Sequence, residues 1–493
     1  MKKYILIVAA FFTAGISGCK KDYLSLEVNP NVPSVTTPSL SLSAALNATA
    51  SSVVNQYAAY GVWAGFWTTS GNYVPNQTVN QFNLTTGSLN SDWADFYGQL
   101  TNYNTLENLA AADPSQVNFQ AIAKIMKAYG FQHLVDEFND VPYSQAFQPS
   151  TILFPAYDKG TDIYEDLGKQ LDAAIALIKG APSTAANPGT ADIVFGGDMT
   201  GWLKFANSLK LRLAMRVSTK TPGDPLVTDL ASTQADGYLD GDTFAAANPG
   251  YSNTTGKQNP FYGTYGFDAS GNPVFGNVYY RANDFSVKTL TNFNDPRLNV
   301  LYTKVPTSST DATLVIQGNI FGDPGVKSNS YTSAIGAGLL KSPSQDAILF
   351  SGAESLFLQA EAANKGFING NAQTLYEAGI TASFEALGLT AGQASTYYGQ
   401  TLPNVGWASS PNKEQAILTQ KWIALNGYFN FEAWNEYRRT GIPAHPSSID
   451  PAAISATYPT RVLYPTSELS TNPTNLAKEG TIDVFTSKIF WAQ

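Results

Sequence analysis

The stretch that decides the fold runs from Asp346 to Leu387: DAILFSGAESLFLQAEAANK (346–365), GFINGN (366–371) and AQTLYEAGITASFEAL (372–387). The first and last pieces repeat apolar and small residues at three- and four-residue spacings, the period of a helix. Gly366 stops the first run, and the Gly- and Asn-containing connection is too short for anything but a tight return. Leu356, Ala360 and Ala363 fall on one face of the first helix; Leu375, Ala378 and Ala382 fall on one face of the second. Small residues at these spacings let two helices approach closely. The unit is a helical hairpin about the size of one tetratricopeptide repeat, although that repeat's residue pattern is absent.

Helical periodicity recurs on both sides. It covers Ser39–Trp67, Asn90–Ala112, Ser115–Phe138, Asp162–Lys179, Met199–Thr219, Asn412–Leu425 and Tyr428–Thr440. In the Met199–Thr219 run, Trp202, Phe205, Leu209 and Leu213 make one stripe. Residues 236–345 differ: they are rich in Gly, Asn, Pro, Ser and Tyr and read as loops, turns and short strands, with one helix near Asp284–Phe293. The tail after Ser447 reads as irregular, with a short ordered ending near Ile482–Trp491. The fold class is therefore mainly α: a scaffold of tetratricopeptide-like helical hairpins with a loop-rich insertion at about 236–345, all within one domain, 39–493. A loop-rich stretch of that length inside a helical chain usually carries function.

Before the helices lies a different kind of segment. Lys2 and Lys3 precede an apolar run, Ile5–Ala14, and then Ile16-Ser17-Gly18-Cys19. A charged start, a short apolar core and small residues at a cut site form a secretory signal, and the run is too short to span a bilayer. Cys19 is the single cysteine of 493 residues, placed where a lipoprotein is cut and acylated. Residues 1–18 read as a lipoprotein signal peptide and 19–38 as a lipidated tether, whose Pro30, Pro33 and Pro38 favour extended chain. With no second cysteine, stability must come from packing, not from an internal disulfide.

Composition narrows the partners. Net charge is −9, which argues against nucleic acid, whose binding needs clustered Lys and Arg. Charged residues are 14%, below the roughly 25% usual for soluble domains. Amides, hydroxyls and aromatic rings fill the surface positions instead, a set that suits neutral polar ligands such as sugars.

A search for reactive groups returns little. Of two histidines, His133 sits on an apolar helix face with Ile122, Met126 and Tyr129 and reads as a core residue; His445, between Pro443 and Pro446, reads as a loop residue. The clustered His or Cys ligands of an ordinary zinc site are missing, so no metal and no cofactor is expected. Calcium could still use oxygen ligands; Asp240-Gly241-Asp242 is the nearest candidate, although two acids in a glycine turn are more often just a turn. There is no phosphate-binding glycine loop and no nucleophile elbow. Paired carboxylates are the enzymatic alternative, because a glycosidase or lyase can work with two. Asp136, Glu137 and Asp140 form one cluster, and Glu354 with Glu361 another. Salt bridges to Arg212, Arg216, Arg438 or Arg439 are the competing role for these acids.

Aromatic residues are more informative. Trp67, with Asn72 and Tyr73, ends the first helical region; Trp93 begins the second; Tyr262, Tyr265, Phe275 and Tyr280 lie in the insertion. A sugar's C–H face stacks on such rings while amides bind its hydroxyls. These eight residues are the candidate ligand-binding set. Reading Trp67 and Tyr280 as stacking partners implies that truncating either weakens binding and leaves the fold intact.

Several segments together resemble one known family. Cys19 with its tether and Asn29-Pro30-Asn31, Asp140-Val141-Pro142-Tyr143-Ser144-Gln145-Ala146, Trp202 to Ala214, Asn294-Asp295-Pro296-Arg297-Leu298, Glu354 to Ala362 and Glu432 to Pro443 are similar, in order, to segments of the SusD/RagB nutrient-binding lipoproteins, in their SusD-like branch. The resemblance implies an α–α superhelical scaffold with a loop-borne site and no catalytic residues. It implies a cell-surface role in the outer membrane, capturing an oligosaccharide or peptide for a TonB-dependent, SusC-like barrel. Lys20 and Lys21 stand where surface-exported members often carry acids, so either leaflet of that membrane fits the tether. A structural or adhesive surface protein is the third reading. Cys19→Ala is expected to leave folding and binding in solution intact yet impair cellular uptake; normal uptake would show that the anchor is incidental.

Overall fold

A computed structural model of the chain describes residues 36–55 and 57–493; the stretch read as a signal peptide, Cys19 and the stretch read as a tether up to residue 35 lie outside the described residues. The longer helices are α1 (Pro38–Asn55), α2 (Tyr57–Trp63), α3 (Asn90–Ala111), α4 (Val117–Phe138), α5 (Gly160–Lys179), α6 (Met199–Ser218), α7 (Asp284–Asn292), α8 (Gly352–Lys365), α9 (Ala372–Ala386), α10 (Ala391–Tyr398), α11 (Lys413–Leu425) and α12 (Asn430–Thr440). Strands are short: β1 (Trp67–Thr69), β2 (Ala245–Ala247), β3 (Tyr280–Ala282), β4 (Val305–Pro306), β5 (Leu314–Val315) and β6 (Ala347–Phe350). They form three two-stranded antiparallel pairs: β1 with β3, β2 with β6, and β4 with β5. Residues Pro38–Gln493 make one compact unit, mainly α as the periodicity predicts.

Local chemistry sets the helix ends. Asp198, Ser351, Asn371 and Asn412 each accept a backbone N–H of the first turn of α6, α8, α9 and α11, which satisfies an otherwise orphaned donor. Gly366 ends α8 at φ +75°, a conformation that glycine adopts without a Cβ clash. The same cap explains one departure from the sequence reading. Ser351 starts α8, so Ala347–Phe350 ahead of it is free to form β6 against β2. Likewise α2 ends at Trp63, and Trp67–Thr69 is strand, not helix. Helix α10 lies in a region with no predicted element, although Thr390 and Gln393 form a reciprocal capping box at its start. The ending near Ile482–Trp491 has no helix or strand. It is held instead by the buried side chains of Ile489 and Trp491.

Consecutive helices pack side by side: α3 on α4, α4 on α5, α5 on α6, then α6 on α8, α8 on α9 and α8 on α11. In the α8–α9 hairpin, Leu356 meets Ala382, with Leu375 and Ala378 alongside, as the spacing predicts. Phe357 and Ala360 pack with Tyr376, Ile380 and Phe384. Gly379 makes this possible: a Cβ there would lie 3.0 Å from the Phe357 ring.

The helices are also tied by buried charge. Arg212 on α6 binds Glu354 on α8 through two 2.9 Å hydrogen bonds. Arg216, one turn on, donates to Glu432 and, at 2.7 Å, to Glu436 of α12, and lies 3.3 Å from Asp136 of α4. Arg439 of α12 grips Glu361 of α8 at 2.9 and 2.8 Å and Glu436 at 2.6 Å. Lys421 of α11 approaches Glu436 at 3.3 Å. A second node lies at Arg297, fully buried, which binds Asp295, Ser383 of α9 and Gln420 of α11. Burial pushes the Glu432 carboxyl up, but Arg212 and Arg216 outweigh it and hold it at about 2.

Arg439→Leu leaves Glu361 and Glu436 without their guanidinium. It is expected to lower the unfolding free energy by about 3–5 kcal/mol, read as a lower urea midpoint at unchanged slope. Glu432 stays ionised in the native state where the unfolded chain, with its carboxyl near 4.5, already takes a proton. The unfolded state then binds more protons, so stability falls as pH drops from 4.5 towards 2. Glu432→Gln should flatten that acid limb; an unaltered limb would show that the network does not hold this charge.

Candidate functional site

The β1–β3 pair builds the region where the sequence placed its aromatic residues. Trp67 faces Ala282, Thr68 faces Arg281 and Thr69 faces Tyr280. The ladder continues outward, with Ser70 N–H donating to Tyr279 O at 2.8 Å and Asn283 N–H to Phe66 O at 3.0 Å. The loop after β1 thus runs beside the short helix Phe275–Tyr279. Gly71 is where a third segment closes in. Its N–H donates to Lys327 O at 3.0 Å, and a Cβ would meet Val326 O at 2.2 Å. Only glycine permits that approach. Next to it, Asn72 Oδ1 accepts the Asn329 N–H at 2.7 Å.

These contacts hold a group of rings at the surface. Phe275 is 64% exposed, Tyr73 36% and Val74 86%. Phe275 stacks on Tyr279 at 5.0 Å between centroids, and Tyr73 meets Phe275 edge-on at 5.5 Å. Tyr279 is buried beneath them, its hydroxyl accepting the Asn76 N–H at 3.2 Å. Beside the rings lies Arg281, whose hydrogen bonds go to neutral groups, Asn329 Oδ1 and Val278 O. Burial pulls its guanidinium down to about 10, while Tyr73 favours the charged form. The face therefore combines an exposed apolar ring surface and amide groups, with the buried Arg281 guanidinium alongside.

The eight residues expected at a site are divided by the structure. Asn72, Tyr73 and Phe275 share this face, with Tyr280 half-buried behind it. Trp67 and Tyr265 do not: both are buried, with their rings 5.2 Å apart. They form the floor that supports Tyr280, which is 5.8 Å from Trp67 and 5.9 Å from Tyr265. Tyr262 packs against Phe267 at 6.1 Å. Trp93 is buried among Tyr97, Phe138, Tyr157 and Tyr464. It borders a separate cavity of about 560 Å³ with Tyr97, Phe147 and Ile152. Two nearby amides are committed to structure: Asn76 caps the turn at Gln77–Asn80, and Asn277 donates to Tyr265 O at 3.0 Å. Sequence reasoning passed over Val74, Arg281 and Asn329. Arg281 carried a usable signal, a charged residue directly after the Tyr279-Tyr280 pair.

The acids weighed as a catalytic pair are engaged elsewhere. Glu354 and Glu361 are the buried partners of Arg212 and Arg439. Asp136 accepts hydrogen bonds from Tyr164 and from Trp491 Nε1. Asp140 receives the Gly160 N–H and pairs with Lys159 at 2.6 Å. Glu137 lies in the core with Asp92 and His133. His133 is stacked between Phe96 and Phe431 at 4.0 and 3.9 Å, and burial pushes its imidazole down to about 3. Among the described residues, no helix is long and apolar enough to cross a membrane.

A helical-hairpin scaffold with a loop-borne aromatic face defines the class of protein. The SusD-like family, described as starch-binding and associating with the outer membrane, matches residues 30–465; the chain belongs to this family. Solved structures share the fold. A chitin-binding protein aligns at TM-score 0.78 and 24% identity, over 93% of this chain and 100% of its own. A SusD-like protein from Bacteroides thetaiotaomicron aligns at 0.75 and 23%, over 92% and 99%. A chitin-binding SusD homolog from Flavobacterium johnsoniae aligns at 0.71 and 23%, over 91% and 98%. Among proteins with curated descriptions, none matches the sequence.

Because Trp67 is core, Trp67→Ala is expected to cost about 3–5 kcal/mol of stability and to disturb the whole face. Chemical denaturation measures this, and an unchanged midpoint would return Trp67 to the surface set.

Proposed function

We propose that this chain is a non-catalytic binding lipoprotein that captures an oligosaccharide on the Tyr73–Phe275 face and delivers it to a TonB-dependent, SusC-like outer-membrane barrel. One observation carries the ligand assignment: Phe275 keeps 64% of its surface exposed while stacked on Tyr279. Burying so large a ring would release about 25 cal/mol per Å² of apolar area, so an exposed and braced ring is available for a partner. A pyranose offers an apolar C–H face for that ring and hydroxyl or acetamido groups for the exposed Asn72. The family's description as starch-binding and the chitin-binding relatives support a carbohydrate over a peptide. The family's association with the outer membrane supports the membrane location and the barrel partner, and the Ile16-Ser17-Gly18-Cys19 stretch after a short apolar run supports the anchor. A glycosidase or lyase reading is disfavoured because the acids proposed for it are engaged in ion pairs and buried hydrogen bonds.

Titration calorimetry with chitooligosaccharides and maltooligosaccharides tests the ligand. Phe275→Ala and Tyr73→Ala should each weaken binding about 5- to 150-fold, corresponding to about 1–3 kcal/mol per stacked ring, with an unchanged melting temperature. Full affinity in both variants would move the site off this face. Release of shorter sugars in a Glu- or Asp-dependent manner would overturn the binding-only assignment.

A further inference from the structure

The buried trio noted above has an unusual property. Asp92 lies in the first turn of α3, and His133 and Glu137 are one turn apart on α4. Asp92 Oδ2, His133 Nε2 and Glu137 Oε2 are all buried, and none has a hydrogen-bond partner while both carboxylates are ionised; the two acids bond to each other only when one carries a proton. The potential ligand atoms of the three residues lie within 4.8 Å of one another. His133 Nε2 and Glu137 Oε2 are 3.8 Å apart, beyond hydrogen-bond reach. Three unpartnered polar atoms converging in an apolar core is a costly arrangement.

The remaining atoms of the trio are held in place. Tyr60 donates its hydroxyl to Glu137 Oε1, and Ser91 Oγ donates to Asp92 Oδ1 at 3.2 Å. The two phenylalanine rings clamp the imidazole plane. Each carboxylate therefore has one oxygen restrained by a hydroxyl and the other left free. Supporting hydrogen bonds of this kind orient the ligands of protein metal sites. Arg438 acts on Glu137 through space, but its hydrogen bonds go to Asp136 O, Thr460 O and Asn435.

We propose that Asp92, His133 and Glu137 form a buried structural site for a divalent cation of the zinc class. One nitrogen and two carboxylate oxygens are a zinc-type donor set, bonded at about 2.0–2.2 Å. Tetrahedral geometry at that bond length separates ligands by roughly 3.4 Å, so the three atoms need close only slightly. A dication balances two carboxylates and a neutral imidazole, leaving no net charge on the trio. The competing occupant is a proton. Burial drives the Glu137 carboxyl up to about 7, and burial with the Glu137 charge raises Asp92 as well. A proton shared between the two carboxylates would still leave His133 Nε2 without a partner, whereas a cation serves all three atoms. The site would bind Tyr60 on α2, α3 and α4 into one unit.

The test uses the untagged full-length chain. It is unfolded, stripped with a chelator, refolded with or without zinc and desalted for elemental analysis. One zinc per chain is expected in the wild type, with a higher melting temperature than the metal-free form. His133→Gln and Asp92→Asn should retain helical circular dichroism and hold no stoichiometric zinc. A wild type that stays metal-free at saturating zinc overturns the proposal in favour of the shared proton, and equal retention by His133→Gln overturns it in favour of another site. Should both variants misfold, anomalous scattering at the zinc edge from wild-type crystals decides: an ion at the trio supports the site, and its absence there overturns it.

Discussion

A guanidinium buried without a partner is among the least tolerable groups in a protein interior, and this fold is arranged around several of them. Arg212 and Arg216 project from α6, and Arg439 from α12, into a region walled by α4, α8 and α11. Each finds carboxylates on a different helix, so none of these helices can shift along its axis without uncovering a charge. Apolar packing between helices tolerates small slides; a bidentate arginine–carboxylate pair does not. Replacing such pairs by well-packed apolar groups is often neutral for stability. Their consequence here is geometric, because they fix which helix lies beside which and at what height.

That rigidity matters at the edge of the scaffold. The β1–β3 pair joins the chain leaving α2 to the loop-rich insertion, and the buried rings of Trp67 and Tyr265 form its floor. On this floor Tyr280 and Tyr279 lie half-buried and buried, and Tyr73 and Phe275 emerge. An exposed ring that is braced from below loses little conformational entropy on meeting a ligand, which favours affinity. The face is thus a surface of a stiff body, formed by short loops that share no helix with the charge network.

Much of the scaffold was legible in the sequence. Helical period located α3, α9 and α11 nearly to the residue, and Gly366 the end of α8, because these signals act within a few positions; the start of α8 fell six residues later than the period suggested. The arginine and glutamate roles were also legible in kind, since buried charges must pair. The aromatic set was harder. Trp67 and Phe275 are both large rings near turns, and nothing local separates a floor from a face. Trp93 shares a segment with Tyr73 in sequence, yet α3 carries it into another part of the core. His133 was readable as a core residue from its apolar face, but the Asp92 carboxylate that converges with it comes from a different helix.

The sequence by itself determined the mainly helical class, the hairpins and the loop-rich insertion, since each is written in short-range pattern and composition. Only the tertiary structure decided which carboxylate meets which arginine, which rings are buried and which are exposed, and that Arg281, Asn72 and Asn329 stand together. Those outcomes depend on contacts between residues hundreds of positions apart. Their energies are set by burial and partner geometry, quantities that exist only once the helices have packed.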